Sequence, residues 1–331
     1  MTRFTYLRPS SLADALAAVA SPGSVPIGGG TDLLSTVDEG LLAPARVVDL
    51  QSLPDWAEIT RAADGALRLG AGVAIATLAE HPLVRELAPA LAAAAAAVGS
   101  PALRNMGTLG GNLAQRQRCW YLRRGVACYK NGGDTCAAYA GEHSYHAIFD
   151  TGPCHAVHPS DPAVALDALD ATVEIASARA GSNSAAAAIQ TRTVSIAELY
   201  EGAAHNRTRE VALADDELIT AVNIPVAAHG GTQHWEKLIQ RAAFDFALVS
   251  CAAVRRGDGT VRISLGGVAA GPWRAPLSVE EDVASGGLDA DSIDALAERA
   301  LYDATPLEGT RYKVTMAQAA LRRAMRALGA E

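Results

Sequence analysis

The sequence predicts an α+β chain in two parts: mixed sheets and helices first, then an antiparallel sheet with a helical cluster. Three patterns carry that prediction. Short strand-like runs alternate with helical stretches as far as residue 225. Apolar runs at 246–254 and 261–265 flank Gly257-Asp258-Gly259, a hairpin pattern. From Asp291 onward helical periodicity dominates, first through Ile293, Leu296, Ala297 and Ala300, then over 314–328.

Taken in order, Phe4-Thr5-Tyr6-Leu7 is strand-like. Ser10 or Ser11 caps a helix to about Ala20, with Leu12, Leu16 and Val19 on one face, and Pro22-Gly23 ends it. Val25, Pro26 and Ile27 form a strand that runs into Gly28-Gly29-Gly30-Thr31-Asp32 and a helix from Leu33. Residues 47–50 and 67–72 read as strands, and a helix starts near Thr77. His81-Pro82 opens another helix, which continues through the alanine run until Gly99-Ser100-Pro101 stops it. Thr108-Leu109-Gly110-Gly111-Asn112 is a second glycine-rich turn. Further on, 162–169 reads as a buried helix, 171–175 as a strand, and 178–188 as a hairpin tip or mobile loop. Residues 194–200 and 217–225 complete the first part. Residues 227–231 are the expected linker, dividing 1–226 from 232–331, and there is no internal repeat.

Half the residues are apolar and about a fifth charged, as in a soluble globular protein. The balance of 28 basic against 36 acidic residues, net −8, argues against a nucleic-acid surface. Residues 1–20 lack the pattern of a signal peptide, and the apolar run 91–98 is too short to span a bilayer. We therefore expect no membrane span and no export signal of its own. Without an address to an oxidising compartment, clustered cysteines read as ligands rather than disulfides.

Two features carry chemistry. Successive glycines let backbone N–H groups share one concavity that suits a pyrophosphate, and two such turns can clasp a long diphosphate from both sides. Between the second turn and His158-Pro159-Ser160-Asp161 lie Cys119, Cys128, Cys136 and Cys154, spaced x8, x7 and x17. Structural zinc sites bring cysteines in close pairs, which are absent here, whereas iron–sulfur clusters use four thiolates at varied spacing. A connection of roughly forty residues in a compact domain needs such a reason to exist. The residues alone leave an iron–sulfur cluster, zinc and uncoordinated thiols open. His143, His146, His155 and His158 are possible replacement ligands or solvated side chains. Arg116, Arg118, Arg123 and Arg124 would offset cluster charge or be plain surface. Cys251, mid-strand among apolar residues, reads as core.

Residues 26–34, 104–113, Ser160-Asp161 and 217–225 together resemble the FAD-binding medium subunit of molybdenum hydroxylases, the xanthine dehydrogenase and carbon monoxide dehydrogenase group. The likeness covers nearly the whole chain, including 237–249 and Arg311-Tyr312-Lys313. Most such subunits lack a cysteine loop. Two branches resemble this chain in having it: 4-hydroxybenzoyl-CoA reductase and the bacterial periplasmic-type aldehyde oxidoreductases. Gln115-Arg116-Gln117-Arg118-Cys119, Cys136-Ala137-Ala138 and His158-Pro159-Ser160-Asp161 are more similar to the aldehyde branch.

The resemblance implies an FAD-binding domain of the PCMH type over 1–226, a 114–160 insertion and a C-terminal flavoprotein domain over 232–331. By the same token Pro26, Ile27, Gly28, Gly29, Gly30, Thr31, Asp32 and Leu33 hold the FAD pyrophosphate. Thr108, Gly111 and Asn112 close its other side, Asp161 binds ribose, Leu218 or Ile219 packs the ring system and Lys237 sits near the flavin. Arg104 is a phosphate or structural partner, and Cys119, Cys128, Cys136 and Cys154 hold a four-iron [4Fe-4S] cluster. No residue is implied as catalytic acid, base or nucleophile.

The implied function is electron transfer within a heterotrimeric, molybdenum-dependent aldehyde oxidoreductase. A large partner carrying the molybdopterin cofactor oxidises the substrate, a small ferredoxin-like partner carries two [2Fe-2S] clusters, and FAD here passes electrons to an external acceptor. A 4-hydroxybenzoyl-CoA reductase-like or other xanthine dehydrogenase-family hydroxylase is the alternative. A stand-alone flavin oxidase would need a substrate base or a covalent flavin attachment, and a zinc-stapled interaction module would need no flavin. On this reading the lone chain does not act on organic substrate, and it is cytoplasmic or is exported to the periplasm with a partner.

Overall fold

The computed structural model describes residues 3–150, 152–179, 188–205, 208–241, 243–286 and 289–329. The expected α+β architecture is built on three sheets. Strands β1 (Thr5–Leu7), β2 (Ser24–Ile27) and β3 (Arg46–Asp49) form a parallel sheet in the order β1-β3-β2. Helix Leu12–Val19 joins the first two, and Ser11 caps it by accepting from the Asp14 N–H. Strands β4 (Ile59–Arg61), β5 (Leu67–Gly70), β6 (Thr172–Arg179), β7 (Ala188–Ser195) and β8 (Glu217–Ile224) form an antiparallel sheet in the order β4-β5-β8-β6-β7. Thus the strands foreseen at 47–50 and 67–72 belong to different sheets. Residues 180–187, inside the segment read as a hairpin tip, lie outside the described residues; β6 and β7 on either side pair antiparallel as far as Arg179↔Ala188.

The alanine-rich helix is not continuous. Pro82–Leu87 ends at Ala88, whose φ of −138° and ψ of 58° are not helical, and Pro89–Ala96 begins afresh. Proline explains the break, since it lacks an N–H and disfavours helical geometry in the residue before it. The same logic corrects the reading of Pro101 as a stop. It opens helix Pro101–Met106, with Ser100 capping by accepting from the Leu103 N–H.

Strands β9 (Thr232–Leu238), β10 (Val249–Arg255), β11 (Val261–Gly266) and β12 (Trp273–Arg274) form the third sheet, antiparallel in the order β12-β11-β10-β9. Helices Leu277–Ser285, Ala290–Arg299 and Arg311–Gly329 accompany it. The apolar run at 246–254 becomes strand only from Val249. Strand β10 stands between two hydrophobic cores. Ala252 and Val254 pack with the core of residues such as Leu69, Leu91 and Val222. Val249, Cys251 and Ala253 pack with Ile263, Leu321 and Met325. A period of two with both faces buried is why this strand reads as an unbroken apolar run, and Cys251 is core as expected. Among the described residues no helix is long and apolar enough to cross a membrane.

Candidate functional site

A cleft of about 460 Å³ lies where the two glycine turns, the start of helix Asp161–Ala168, β8 and β9 converge. Every residue expected at a flavin borders it except Arg104. The Arg104 guanidinium instead donates to the Val98 and Gly99 carbonyls at 2.9 and 3.0 Å, holding the chain where the alanine-rich helix ends.

The two turns differ. In the first, Gly30 has φ +73°, and a Cβ on Gly29 would stand 1.6 Å from the Met106 carbonyl oxygen. One on Gly28 would meet Thr108 Oγ1 at 2.5 Å. Gly28 is required by contact with the second turn, Gly29 by contact with the end of helix Pro101–Met106 and Gly30 by its backbone conformation, whatever the ligand. The N–H groups of Gly29, Gly30 and Thr31 find no protein acceptor among the described residues, which leaves donors suited to a diphosphate. In the second turn the donors are taken. Leu109 and Gly110 donate to the Val73 and Ala71 carbonyls, each at 2.8 Å, and Gly111 donates to Thr108 Oγ1 at 3.2 Å.

Asn112 Oδ1 accepts from Ser160 Oγ at 2.6 Å, and Ser160 in turn caps helix Asp161–Ala168. Buried Asp161 meets Lys237 Nζ at 2.7 Å, while Nζ also donates to the Ala97 carbonyl at 2.9 Å. Burial raises the Asp161 carboxyl to about 6, against the pull of the lysine. Leu218 and Ile219 both border the cleft, beside a register shift in which Ala221 faces Glu174 and Ile219 faces Ile175. Such a bulge re-aims neighbouring side chains, so two consecutive residues reach one cavity.

The Asp32 carboxylate is engaged elsewhere. It accepts from the Arg116 N–H at 2.7 Å, Arg118 Nη1 at 2.6 Å and Arg123 Nη2 at 3.0 Å, tying the first turn to the cysteine loop. Arg116 also pairs with Glu210, and Arg123 with Glu39. Of the four arginines near Cys119, these three are therefore ion-paired and only Arg124 is simply exposed.

Cys119, Cys128, Cys136 and Cys154 all border one small cavity of about 20 Å³. Cys119, Cys128 and Cys136 stand at the start of short helical turns, Trp120–Arg123, Tyr129–Asn131 and Ala137–Ala140. Burial pushes the Cys154 thiol up to about 11 and raises Cys119 as well. Buried thiols stay protonated unless a metal offsets the charge of the thiolate. Among the described residues no three His, Cys, Asp or Glu side chains are gathered tightly enough for a single metal ion. The four thiols nevertheless border one cavity, which is the donor set that a four-thiolate cluster would need.

Of the four histidines only His146 borders that cavity, with Nε2 3.3 Å from Cys119 Sγ. His143 accepts from the Gly309 N–H at 3.0 Å, and His158 Nε2 lies 3.0 Å from the Gln115 carbonyl. His155 packs against the Tyr139 ring, 5.5 Å between centroids. A further cavity of about 230 Å³ joins the two sites, sharing Arg118, Asp161 and Phe246 with the cleft and Cys119 and His146 with the thiol cavity.

Residues 2–227 match the family described as FAD binding domain in molybdopterin dehydrogenase. The chain belongs to the FAD-binding medium subunits of the molybdenum hydroxylases. Residues 236–328 match the CO dehydrogenase flavoprotein C-terminal domain. The aldehyde oxidoreductase FAD-binding subunit PaoB of Escherichia coli (strain K12) is 39% identical over 279 residues, covering 83% of this chain and 84% of that protein. The carbon monoxide dehydrogenase medium chain of Hydrogenophaga pseudoflava is 26% identical, over 98% and 96%. The crystal structure of quinoline 2-oxidoreductase from Pseudomonas putida 86 shares the fold, with TM-score 0.73, 24% identity and coverage of 99% and 97%. This medium subunit is thus an oxidoreductase subunit of the xanthine dehydrogenase family, with FAD as its cofactor and an aldehyde oxidoreductase FAD subunit as a relative.

In this medium subunit, sequence reasoning assigned no role at the cleft to Phe246 or Arg118, which border it, nor to Ser160, which holds Asn112 beside it. Ser160 follows the pattern of a helix cap before Asp161-Pro162, a signal present in the sequence. Nothing local announces that Arg118 reaches Asp32 or that Phe246, half exposed, reaches the cleft.

Proposed function

We propose that this medium subunit carries FAD and a four-iron cluster and relays electrons within a heterotrimeric, molybdenum-dependent aldehyde oxidoreductase. Residues 1–226 would hold the flavin, 114–160 the cluster, and 232–331 would close the cleft through Lys237. Two partners complete the path, a large subunit with the molybdopterin cofactor and a small subunit with two [2Fe-2S] clusters. FAD, when bound, supplies chemistry that accepts single electrons and delivers them to the external acceptor. The observation that carries the reading is the convergence of four cysteines, drawn from 36 residues of chain, on one cavity next to the flavin cleft.

The chain's own residues bind and position. The free N–H groups of Gly29, Gly30 and Thr31 would take the pyrophosphate, and Thr108 and Asn112 would face it from the second turn. Lys237, locked by Asp161 and the Ala97 carbonyl, would stand beside the ring site. Leu218 and Ile219 offer an apolar wall that excludes water. Arg104 would act through structure, by fixing the 98–99 backbone. Anaerobic purification of the co-expressed complex tests the reading: about four irons per medium subunit and stoichiometric FAD are expected. Zinc in place of iron, or no metal, would defeat the electron-relay role of the loop.

A further inference from the structure

We propose that Lys313 is a buried cation that helps set the reduction potential of the four-cysteine site. The proposal rests on the reading of Cys119, Cys128, Cys136 and Cys154 as ligands of a four-iron cluster. Lys313 lies in the first turn of helix Arg311–Gly329 and is fully buried. Its Nζ donates to the His146 carbonyl at 2.9 Å and to the Gly267 carbonyl. The imidazole of that same His146 lies 3.3 Å from Cys119 Sγ. One residue therefore separates the ammonium from the Cys119 thiol.

Among the described residues no carboxylate pairs with Lys313. Lys130 is a second buried lysine; it borders the thiol cavity, and its Nζ donates to the Arg209 carbonyl. The arginines beside Cys119 are different. Arg116, Arg118 and Arg123 face Glu210, Asp32 and Glu39, three cations against three carboxylates, so their charges cancel locally. Arg124 is exposed, where water screens it. An ammonium held only by carbonyls is costly to bury, and burial alone draws the amine down to about 7. Four thiolates around a cluster supply the missing negative charge. Reduction adds one electron to the cluster, from an iron–sulfur partner or from dithionite in the laboratory, and breaks no bond. A fixed positive charge nearby favours the reduced form.

The test uses the co-expressed complex, purified anaerobically, with Lys313→Gln and Lys313→Met. Glutamine keeps an N–H donor for the two carbonyls, whereas methionine keeps only the length. Iron and flavin are counted, and the four-iron signal is followed by EPR through a dithionite titration. Both variants should retain about four irons. At a fixed potential near the midpoint, their ratio of oxidised to reduced cluster should rise about tenfold, equivalent to a midpoint about 59 mV lower for one electron. Retained iron with an unchanged midpoint overturns the proposal. So does iron loss in both variants, which would make Lys313 a support for the loop rather than its counter-charge. A wild-type complex without iron overturns the four-iron reading itself, before any variant is compared.

Discussion

The flavin cleft and the cysteine loop share a border at Arg118 but are held by different means. The cleft draws on distant elements of regular structure: the β2 turn, the second turn seated on residues 71–73, β8, β9 and helix Asp161–Ala168. Gly29 lies flush against Met106, so its shape is set by packing alone. The loop has only turns of three or four residues; Leu122 and Ala138 are buried within it, and Ile148 and Phe149 anchor its later part in the second core. Ion pairs to Asp32, Glu39 and Glu210 moor it to its neighbours. The cleft is thus formed before its ligand arrives, whereas on the proposed reading the loop's interior would be ordered by metal ligation.

The strongest way to break this contrast is Gly29→Asp. With a Cβ 1.6 Å from the Met106 carbonyl, the first turn and the end of helix Pro101–Met106 must part, and we expect a loss of about 4 kcal/mol or more. Gly111→Asp, whose Cβ meets only Thr108 Oγ1 at 3.0 Å, should keep the fold and lose flavin by charge repulsion, about 2–5 kcal/mol. Thermal melts beside flavin absorbance decide the pair. An intact melt for Gly29→Asp would refute packing as the origin of the turn.

Next in size, Cys136→Ser should lose its iron and open 114–160 to protease while FAD stays bound. Cys251→Ser should keep its iron and cost about 1–3 kcal/mol as a hydroxyl buried in β10. Flavin loss on Cys136→Ser would mean that the cleft is not formed independently of the loop.

A pH series sharpens the border. Burial holds His158 at about 3, against an ordinary 6.5. Its contribution to stability is therefore complete above pH 6.5 and is lost as pH falls toward 3, at about 1.4 kcal/mol per unit of separation. Asp161, raised from 3.8 to about 6, acts oppositely, and its contribution is lost as pH rises through 6. His158→Gln should flatten the acid loss and Asp161→Asn should steepen it, as read from urea midpoints between pH 4 and pH 7. The same sign for both variants would show that these groups do not govern the slope. The smallest effect is expected for Ser160→Ala, about 1 kcal/mol from the lost helix cap, with weaker flavin binding through Asn112. Unchanged stability and flavin affinity would leave Ser160 without a role.

What the sequence showed well was whatever it encodes locally. Glycine turns, the Ser11 cap, the hairpin at 257–259 and the two-sided apolar run of β10 announce themselves within a few residues. Long-range pairing does not. Nothing in Leu67–Gly70 points to Glu217–Ile224 as its neighbour, and β9, half-buried and polar except at Trp235 and Leu238, hides as a linker extension. The same limit applies at the site. Cysteines and glycines are legible by type, whereas the turn of Asp32 toward Arg118 and Arg123 depends on how separate segments meet. Lys313 looks like any helical lysine until the fold buries it.

Strand β10, with one face in each core, has a kinetic consequence. A strand covered on one side can shed its neighbour and exchange its amide hydrogens through a local opening. Here, releasing either face exposes a core that the other face still holds, so neither half of the molecule can open by itself. Amides of Cys251, Ala252 and Ala253 should exchange only in the event that unfolds the whole chain. The two halves should then melt in a single transition, despite their separate sheets. Faster exchange at these amides than in the parallel sheet of β1, β2 and β3 would show that the halves come apart before they unfold.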